Sequence, residues 1–214
     1  MLNNPLTDQS VGEEIANSIS HGVGLLAGIA VLPILIVNAV RTGDAWSIVG
    51  ASIFGTATIL MYFSSTIYHA VTGNKVKRIF QVLDHSAIFI LIAGTYTPFT
   101  LGILRGPMGW TLFGLVWGMA IIGIVLKSLG RAKNPYISTG IYLAMGWLLV
   151  IGAKSLWLAM PYWGLIWLIG GGVLYSLGVI FYAMNRVRYS HFVWHLFVIG
   201  GNTCHIIAVL LFAG

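Results

Sequence analysis

The sequence predicts an all-α membrane protein, a bundle of seven transmembrane helices, from its composition and from the length of its apolar runs. Of its 214 residues, 58% are hydrophobic and only 7% are charged. A soluble domain carries charges on roughly a quarter of its residues, so this chain lacks the polar surface that a soluble fold needs. Its apolar runs have about the 20-residue length of a spanning helix. They show no period-two alternation, which excludes the strands of a membrane β-barrel.

Seven apolar segments are predicted to cross the membrane, so that residues 1–214 form a single transmembrane domain. They run over roughly residues 19–40, 46–71, 79–104, 108–127, 136–153, 161–184 and 190–212, the fifth being the shortest. Ser10 followed by Glu13 resembles a capping box, which predicts that a helix begins near Val11, ahead of the membrane. The spacing of Gly24 and Gly28 predicts a close contact with a neighbouring helix.

The basic residues predict the orientation of the bundle. Most of the 11 Lys and Arg residues fall in three loops that share a side with the N-terminus: Lys75, Lys77, Arg78, Lys127, Arg131, Lys133, Arg186 and Arg188. Loops rich in Lys and Arg remain in the cytoplasm. We therefore expect the N-terminus in the cytoplasm and the C-terminus outside. The net charge of +6 is accounted for by topology, and no nucleic-acid partner is expected.

Few ionisable side chains lie within the spans, and most of them share one depth. His69 lies just before a basic loop, and Asp84 lies soon after the same loop. His191 and His195, one helical turn apart, open the seventh span after another basic loop, and His21 begins the first span. Because these loops lie on one side, the topology predicts that the imidazoles and the carboxylate converge near the cytoplasmic face.

This set of side chains suits a divalent transition metal. His191 and His195 on one helix face can chelate an ion, and His69 would complete a set of three imidazoles. Three protein nitrogens with water in the fourth position are typical of catalytic zinc sites. Asp84 could then serve as general base towards that water, or orient it. Ser65, one turn from His69, could bond the water, Asp84 or a substrate oxygen.

Other polar residues have simpler interpretations. We expect Glu14 and Asn17 to cap or bridge helices beside the metal ligands without binding the ion. For His21, support of the ligands and ordinary helix packing both remain open. Asn202 and His205 continue the face of His191 and His195, but His205 lies about 15 Å beyond His195. They are expected to form interhelical hydrogen bonds, with a polar pore lining as the alternative.

The same residues also resemble a known pattern. Three motifs, Glu14-x-x-Asn17-x-x-x-His21, Ser65-x-x-x-His69 with Asp84 downstream, and His191-x-x-x-His195, resemble those of the progestin and adipoQ receptor family. The short N-terminus and the segment from Asp84 to Ile88 resemble its bacterial branch, the hemolysin III proteins. The resemblance extends from about Glu13 to the end of the chain.

The resemblance implies a seven-helix fold with zinc held by His69, His191 and His195. It also implies that Asp84 contacts the water on the zinc. A wider superfamily that includes alkaline ceramidases suggests hydrolysis of a lipid amide. The bacterial members are associated with membrane lipid homeostasis, some of them with haemolysis, and imply a location in the bacterial plasma membrane.

Three functional hypotheses follow. The first is a zinc-dependent intramembrane hydrolase that acts on a membrane lipid amide or ester. The second is a non-catalytic membrane sensor or regulator whose zinc is structural. The third is a haemolytic pore or channel, for which Asn202 and His205 are the only support.

Overall fold

The computed structural model describes residues 9–131, 134–184 and 186–213, and within these ranges it contains helices and no strands. The helices are α1 Val11–Thr42, α2 Ala45–Ala70, α3 Asn74–Leu101, α4 Pro107–Ser128, α5 Pro135–Gly146, α6 Ala153–Ala159, α7 Tyr162–Ala183 and α8 Ser190–Phe212, with a 3₁₀ segment Leu148–Gly152 between α5 and α6. Within the described residues, seven helical segments are long and apolar enough to cross a membrane. The predicted fold class is therefore confirmed.

The start of α1 follows from the capping box. The Ser10 hydroxyl accepts from the Glu13 backbone N–H at 3.3 Å, and the Glu13 carboxylate accepts from the Ser10 backbone N–H at 2.9 Å. The helix begins at Val11, as predicted, and continues without interruption to Thr42. Its first turns lie ahead of the predicted span and bring the polar residues of the first motif into the bundle.

Helix α1 packs against α2 and α8, α2 packs against α3, and α7 packs against α8. At Gly24 a Cβ atom would lie 2.8 Å from the ring of Tyr62, so α1 approaches α2 closely where no side chain intervenes. This confirms the predicted close contact at Gly24. A Cβ atom at Gly28 would make only ordinary van der Waals contacts, the nearest at 3.5 Å from side chains of α2.

The fifth span differs from its prediction of residues 136–153. It runs over Tyr136–Ala159 and breaks after Gly146 into the 3₁₀ segment and α6. A broken helix exposes backbone groups that lipid cannot satisfy. Here the Tyr96 hydroxyl donates to the Gly146 carbonyl at 2.8 Å and accepts from the Leu149 N–H at 2.9 Å. A side chain from α3 thus stabilises the break, which the sequence of the span alone does not predict.

The starts of α1, α3 and α8 and the end of α2 lie at one end of the bundle, here called the histidine end. The Glu13 carboxylate accepts from the backbone N–H of Tyr189, immediately before α8, at 2.8 Å. Glu14 contacts both His69 near the end of α2 and Lys77 near the start of α3. Of the basic residues used to predict orientation, Lys133 lies outside the described residues.

Candidate metal centre

Three imidazoles converge at the histidine end. His69, His191 and His195 each offer one nitrogen, and these nitrogens all lie within 4.8 Å of one another. The ring centroids are 5.2 Å apart for His69 and His191, 5.1 Å for His69 and His195, and 4.7 Å for His191 and His195. The predicted convergence of residues separated by more than a hundred positions in the chain is therefore present.

Helix α8 supplies two of these imidazoles because residues four apart lie on one helix face. The helix begins directly after Tyr189, which has a left-handed backbone with φ of 58°. A bulky residue is rarely found in this conformation. The bond from its backbone N–H to the Glu13 carboxylate holds it, so the first turn of α1 fixes the place where α8 begins.

Glu14 orients His69. Nδ1 of His69 lies 2.7 Å from one carboxylate oxygen of Glu14, and Nζ of Lys77 lies 2.7 Å from the other. Because a carboxylate only accepts hydrogen bonds, we assign a proton to Nδ1, and in the neutral ring Nε2 then keeps its lone pair. That Nε2 atom is buried and has no hydrogen-bond partner within residues 9–131, 134–184 and 186–213. A carboxylate that holds the far nitrogen of an imidazole is the usual support of a metal-binding histidine.

A backbone carbonyl orients His195. Its Nδ1 atom lies 3.2 Å from the Asn17 carbonyl oxygen and 3.1 Å from the Ser20 hydroxyl. The carbonyl only accepts, so we assign the proton to Nδ1 and the free lone pair to Nε2. The ring of His21 stacks on that of His195, with centroids 3.5 Å apart and planes within 5°. Helix α1 therefore supports His195 by hydrogen bonds and by stacking.

The donor set fits a divalent metal ion. Buried polar atoms almost always have a hydrogen-bond partner, yet in the described part of the chain His69 Nε2 and His191 Nδ1 are buried without one. In His69 and His195 the Nδ1 atom faces an acceptor, so Nε2 is the nitrogen available to a metal ion. Neutral imidazole nitrogen is a ligand that zinc prefers. These three residues could therefore hold one metal ion.

Comparison with known protein families decides the family of this chain. The profile of proteins described as "Haemolysin-III related" matches residues 9–206. The chain belongs to the haemolysin-III-related family. The matched region contains every residue of the histidine cluster and of its support from α1.

The relatives of this haemolysin-III-related protein match it over nearly its full length. A "Hemolysin-3 homolog" of Bacillus subtilis (strain 168) is 45% identical over 203 residues, which are 95% of each chain. "Hemolysin-3" of Bacillus cereus is 43% identical over 204 residues, 95% of this chain and 93% of that one. The "Monocyte to macrophage differentiation factor" of Homo sapiens is 29% identical over 210 residues, 92% and 83% of the two chains. The resemblance seen in the motifs is confirmed, and the Bacillus relatives indicate a bacterial membrane.

Asp84, Ser65 and His21 lie beside the histidine cluster of this haemolysin-III-related protein. His21 Nδ1 lies 2.7 Å from the Ser65 hydroxyl oxygen. The Asp84 carboxylate lies near both Ser65 and His69, but it is not among the side chains that share the common ligand position. All three are buried and line one cavity with the imidazoles. This placement suits residues that act on a molecule next to an ion.

A cavity of about 120 Å³ connects the cluster with the middle of the bundle. His69, Asp84 and His191 line it at the histidine end, whereas Tyr175 and His205 line it far from that end. Its walls between the ends are mainly apolar and include Met61, Ile88, Leu91, Ile92, Leu143, Val179 and Val198. The cavity could therefore accept part of an acyl chain together with a polar group at the histidine cluster.

The polar residues with simpler interpretations mostly follow their predictions. Glu14 bridges α1 to α2 and α3, while the Asn17 side chain donates to Gln9 at 2.7 Å. Asn202 and His205 do form interhelical hydrogen bonds. The Asn202 amide donates to the Tyr62 hydroxyl at 3.3 Å, and His205 Nε2 lies 3.1 Å from the Leu168 carbonyl oxygen.

Sequence reasoning missed two supporting residues. Ser20 contacts His195; its spacing from Asn17 places both residues on one helix face, but spacing does not show which helix that face contacts. In the sequence, Lys77 indicates only the orientation of the bundle, although in the structure it pairs with the Glu14 carboxylate that orients His69. The pairing of Lys77 with Glu14 could not be found from spacing, because the two residues lie on different helices.

Proposed function

We propose that this protein is a zinc-dependent intramembrane hydrolase that cleaves a membrane lipid amide or ester in membrane lipid homeostasis. The observation that carries the proposal is the buried cluster of His69, His191 and His195, with nitrogens within 4.8 Å, at one end of a largely apolar cavity. Zinc held by three imidazoles acts as a Lewis acid and activates water for attack on a carbonyl.

The remaining chemistry is assigned to residues of the chain. Asp84 accepts a proton from the attacking water and returns it to the departing amine or alcohol as the bond to the carbonyl carbon breaks. Ser65, which lies between His21 and Asp84, orients the carboxylate and the substrate oxygen. Glu14 orients His69 through its Nδ1 atom, and the Asn17 carbonyl and the His21 ring orient His195. The products are a carboxylic acid and an amine or alcohol, so the atoms balance without a further reactant.

The decisive experiment compares the zinc-loaded wild type with Asp84→Asn on a panel of lipid amides and esters. We expect Asp84→Asn to retain zinc, because Asp84 is outside the ligand group, and to lose about 10²- to 10⁴-fold in turnover, the usual contribution of a general base. Thr95→Val is the control, because Thr95 lines the same cavity while its hydroxyl donates to the Leu91 carbonyl of its own helix.

Two results would contradict the hydrolase. If zinc-loaded wild type turned over none of the lipids in the panel, the hydrolase proposal would be wrong. Full biological function in Asp84→Asn, with zinc retained, would favour a non-catalytic sensor or regulator whose zinc is structural.

A haemolytic pore is the second candidate, because the Bacillus cereus relative is named "Hemolysin-3" and the cavity reaches His205. Ion flux through liposomes that contain the protein would support a pore if His205→Phe abolished it and His69→Ala did not. Flux that is absent, or that is lost equally in both variants, would exclude this candidate.

We also propose that the histidine end faces the cytoplasm of the bacterial plasma membrane and that the whole chain forms one transmembrane domain. The loops at this end carry most of the basic residues, among them Lys75, Arg78, Arg131, Arg186 and Arg188, as the positive-inside rule requires. Reporter enzymes that are active only outside the cytoplasm, fused after Gly214, should be active. An inactive reporter on a stably inserted protein would reverse the orientation.

A further inference from the structure

The end of the cavity far from the histidine cluster carries polar atoms without partners. Tyr175 and His205 line this end, and their ring centroids lie 5.5 Å apart. Among the residues that the structure describes, the Tyr175 hydroxyl and His205 Nδ1 are buried without a hydrogen-bond partner, as is the Oδ1 atom of Asn202 on the same helix as His205. Burial of such atoms without partners destabilises a protein, and because none of the described residues pairs them, they are available to a bound group.

Two glycines on the facing helices leave room for these rings. A Cβ atom at Gly201 would lie 2.9 Å from the ring of Tyr175, and one at Gly171 would overlap the ring of His205. Each ring therefore occupies space that a larger residue on the facing helix would fill. The two rings therefore pack directly against the backbone of the facing helix.

The two unpaired atoms have complementary roles. His205 Nε2 lies 3.1 Å from the Leu168 carbonyl oxygen, which only accepts, so Nε2 carries the proton and Nδ1 is an acceptor. The Tyr175 hydroxyl is a donor. A hydroxyl group both accepts and donates, so it can pair with both residues at once. A keto group can pair only with Tyr175, and a methylene can pair with neither.

The distance between the two polar ends sets the length of the molecule. His195 and His205 are ten residues apart on the continuous helix α8, which corresponds to about 15 Å along its axis. Apolar residues line the cavity between them, among them Leu91 and Val198. An extended acyl chain with its carbonyl at the histidine cluster would place roughly its twelfth carbon beside Tyr175 and His205, given C–C bonds near 1.5 Å.

We propose that Tyr175 and His205 form a second polar site, which binds a hydroxyl group on the acyl chain of a lipid whose carbonyl lies at the histidine cluster. The site therefore selects hydroxylated acyl chains over unsubstituted ones. The identification of the bound carbonyl compound as a substrate rests on the proposed hydrolase, but the preference for a hydroxyl group does not.

The test measures binding, without turnover, of sixteen-carbon fatty acids that carry a hydroxyl group at successive positions. Affinity for the purified protein is measured by competition with a fluorescent fatty acid, relative to the unsubstituted acid. We expect tightest binding for a hydroxyl near the twelfth carbon, about tenfold above the unsubstituted acid, as one well-formed hydrogen-bonding site provides. Tyr175→Phe should reduce this ratio to about threefold, because only the bond to His205 Nδ1 remains, while affinity for the unsubstituted acid is retained.

Tyr142→Phe is the matched control. Tyr142 also lines the cavity, but its hydroxyl is already paired with the His85 carbonyl at 2.9 Å, so the positional preference should persist. Tyr175→Phe is expected to fold, because it removes a hydroxyl that pairs with none of the described residues.

No positional preference in the wild type, or one unchanged in Tyr175→Phe, would overturn the second site and leave water as its occupant. Positional preference without turnover on the lipid panel would contradict the hydrolase and leave the second site standing. Turnover without positional preference would contradict the second site and leave the hydrolase standing.

Discussion

Two carboxylates near the opposite ends of α1 make ion pairs that connect the first helices to the region of α3. Glu14 contacts His69 and Lys77, and its side chain is 18% exposed. Asp44, between α1 and α2, pairs with Arg105, and its side chain is 48% exposed. The two pairs use the same chemistry, and they differ in burial and in what the second carboxylate oxygen contacts.

The difference explains why one pair serves the site and the other serves the fold. An exposed ion pair contributes little to stability because water and salt screen it. Asp44 mainly caps α2 by accepting from the backbone N–H groups of Trp46 and Ser47. Glu14 is shielded from water, and one of its oxygens determines which nitrogen of His69 carries the proton. Glu14 thus orients a buried imidazole, whereas Asp44 caps a helix.

The largest effect that would test this comparison is expected for Glu14→Gln. The amide can donate to Nδ1 of His69 and thereby stabilise the wrong tautomer, so zinc affinity should fall by about 10- to 100-fold, as for other supports of metal ligands. Titration against a competing chelator measures this change. Asp44→Asn, the matched control at the other end, should leave zinc affinity unchanged. Equal affinity in Glu14→Gln and wild type would show that Glu14 has only a structural role.

A smaller effect is expected for Ser20→Ala. This variant tests whether a neutral hydrogen-bond partner of a metal-binding histidine contributes as much to zinc affinity as a charged one. The substitution removes the hydroxyl at 3.1 Å from His195 Nδ1 but leaves the Asn17 carbonyl at 3.2 Å. Because one acceptor remains, zinc affinity should fall by only about threefold, within the range of a single neutral hydrogen bond. A loss as large as that of Glu14→Gln would mean that burial, rather than charge, determines the strength of the support.

The smallest effect concerns Asp44 and should depend on pH. The hydrogen bond from the Arg105 guanidinium holds the pKa of the Asp44 carboxyl below its usual value. The pair therefore stabilises the fold above the unfolded-state pKa of about 3.9, and this stabilisation is lost as the pH falls through the lower pKa of the folded state. Asp44→Asn should lower the thermal midpoint slightly at neutral pH, and the difference should disappear in acid. A difference that grows in acid would contradict this account.

Much of the site could be predicted from the sequence because helices impose regular spacing. His191 and His195 share a face wherever α8 runs, since residues four apart lie one turn apart. The basic loops and the alternation of spans put His69 and Asp84 at the same end as these residues. The capping box at Ser10 and Glu13 likewise predicted the start of α1, because its hydrogen bonds form within four residues of chain.

Other features depend on contacts between helices and could not be predicted. The break in the fifth span is stabilised by Tyr96 of α3, and nothing in the sequence of the span identifies that partner. The rotation of α1 decides whether Ser20 contacts His195 or faces elsewhere. The separation of the rings of Tyr175 and His205, which determines the second polar site, depends on how α7 packs on α8.

By itself the sequence predicted seven helices of membrane-spanning length and the gathering of His21, His69, His191 and His195 at one end of the bundle, because hydrophobic length and helical periodicity are local properties. Only the tertiary structure decided that the nitrogens of three of these imidazoles lie within 4.8 Å of one another, that Glu14 and the Asn17 carbonyl orient two of them, and that the cavity has a second polar end. Those features depend on distances between side chains of different helices, and such distances are set by packing across the whole bundle.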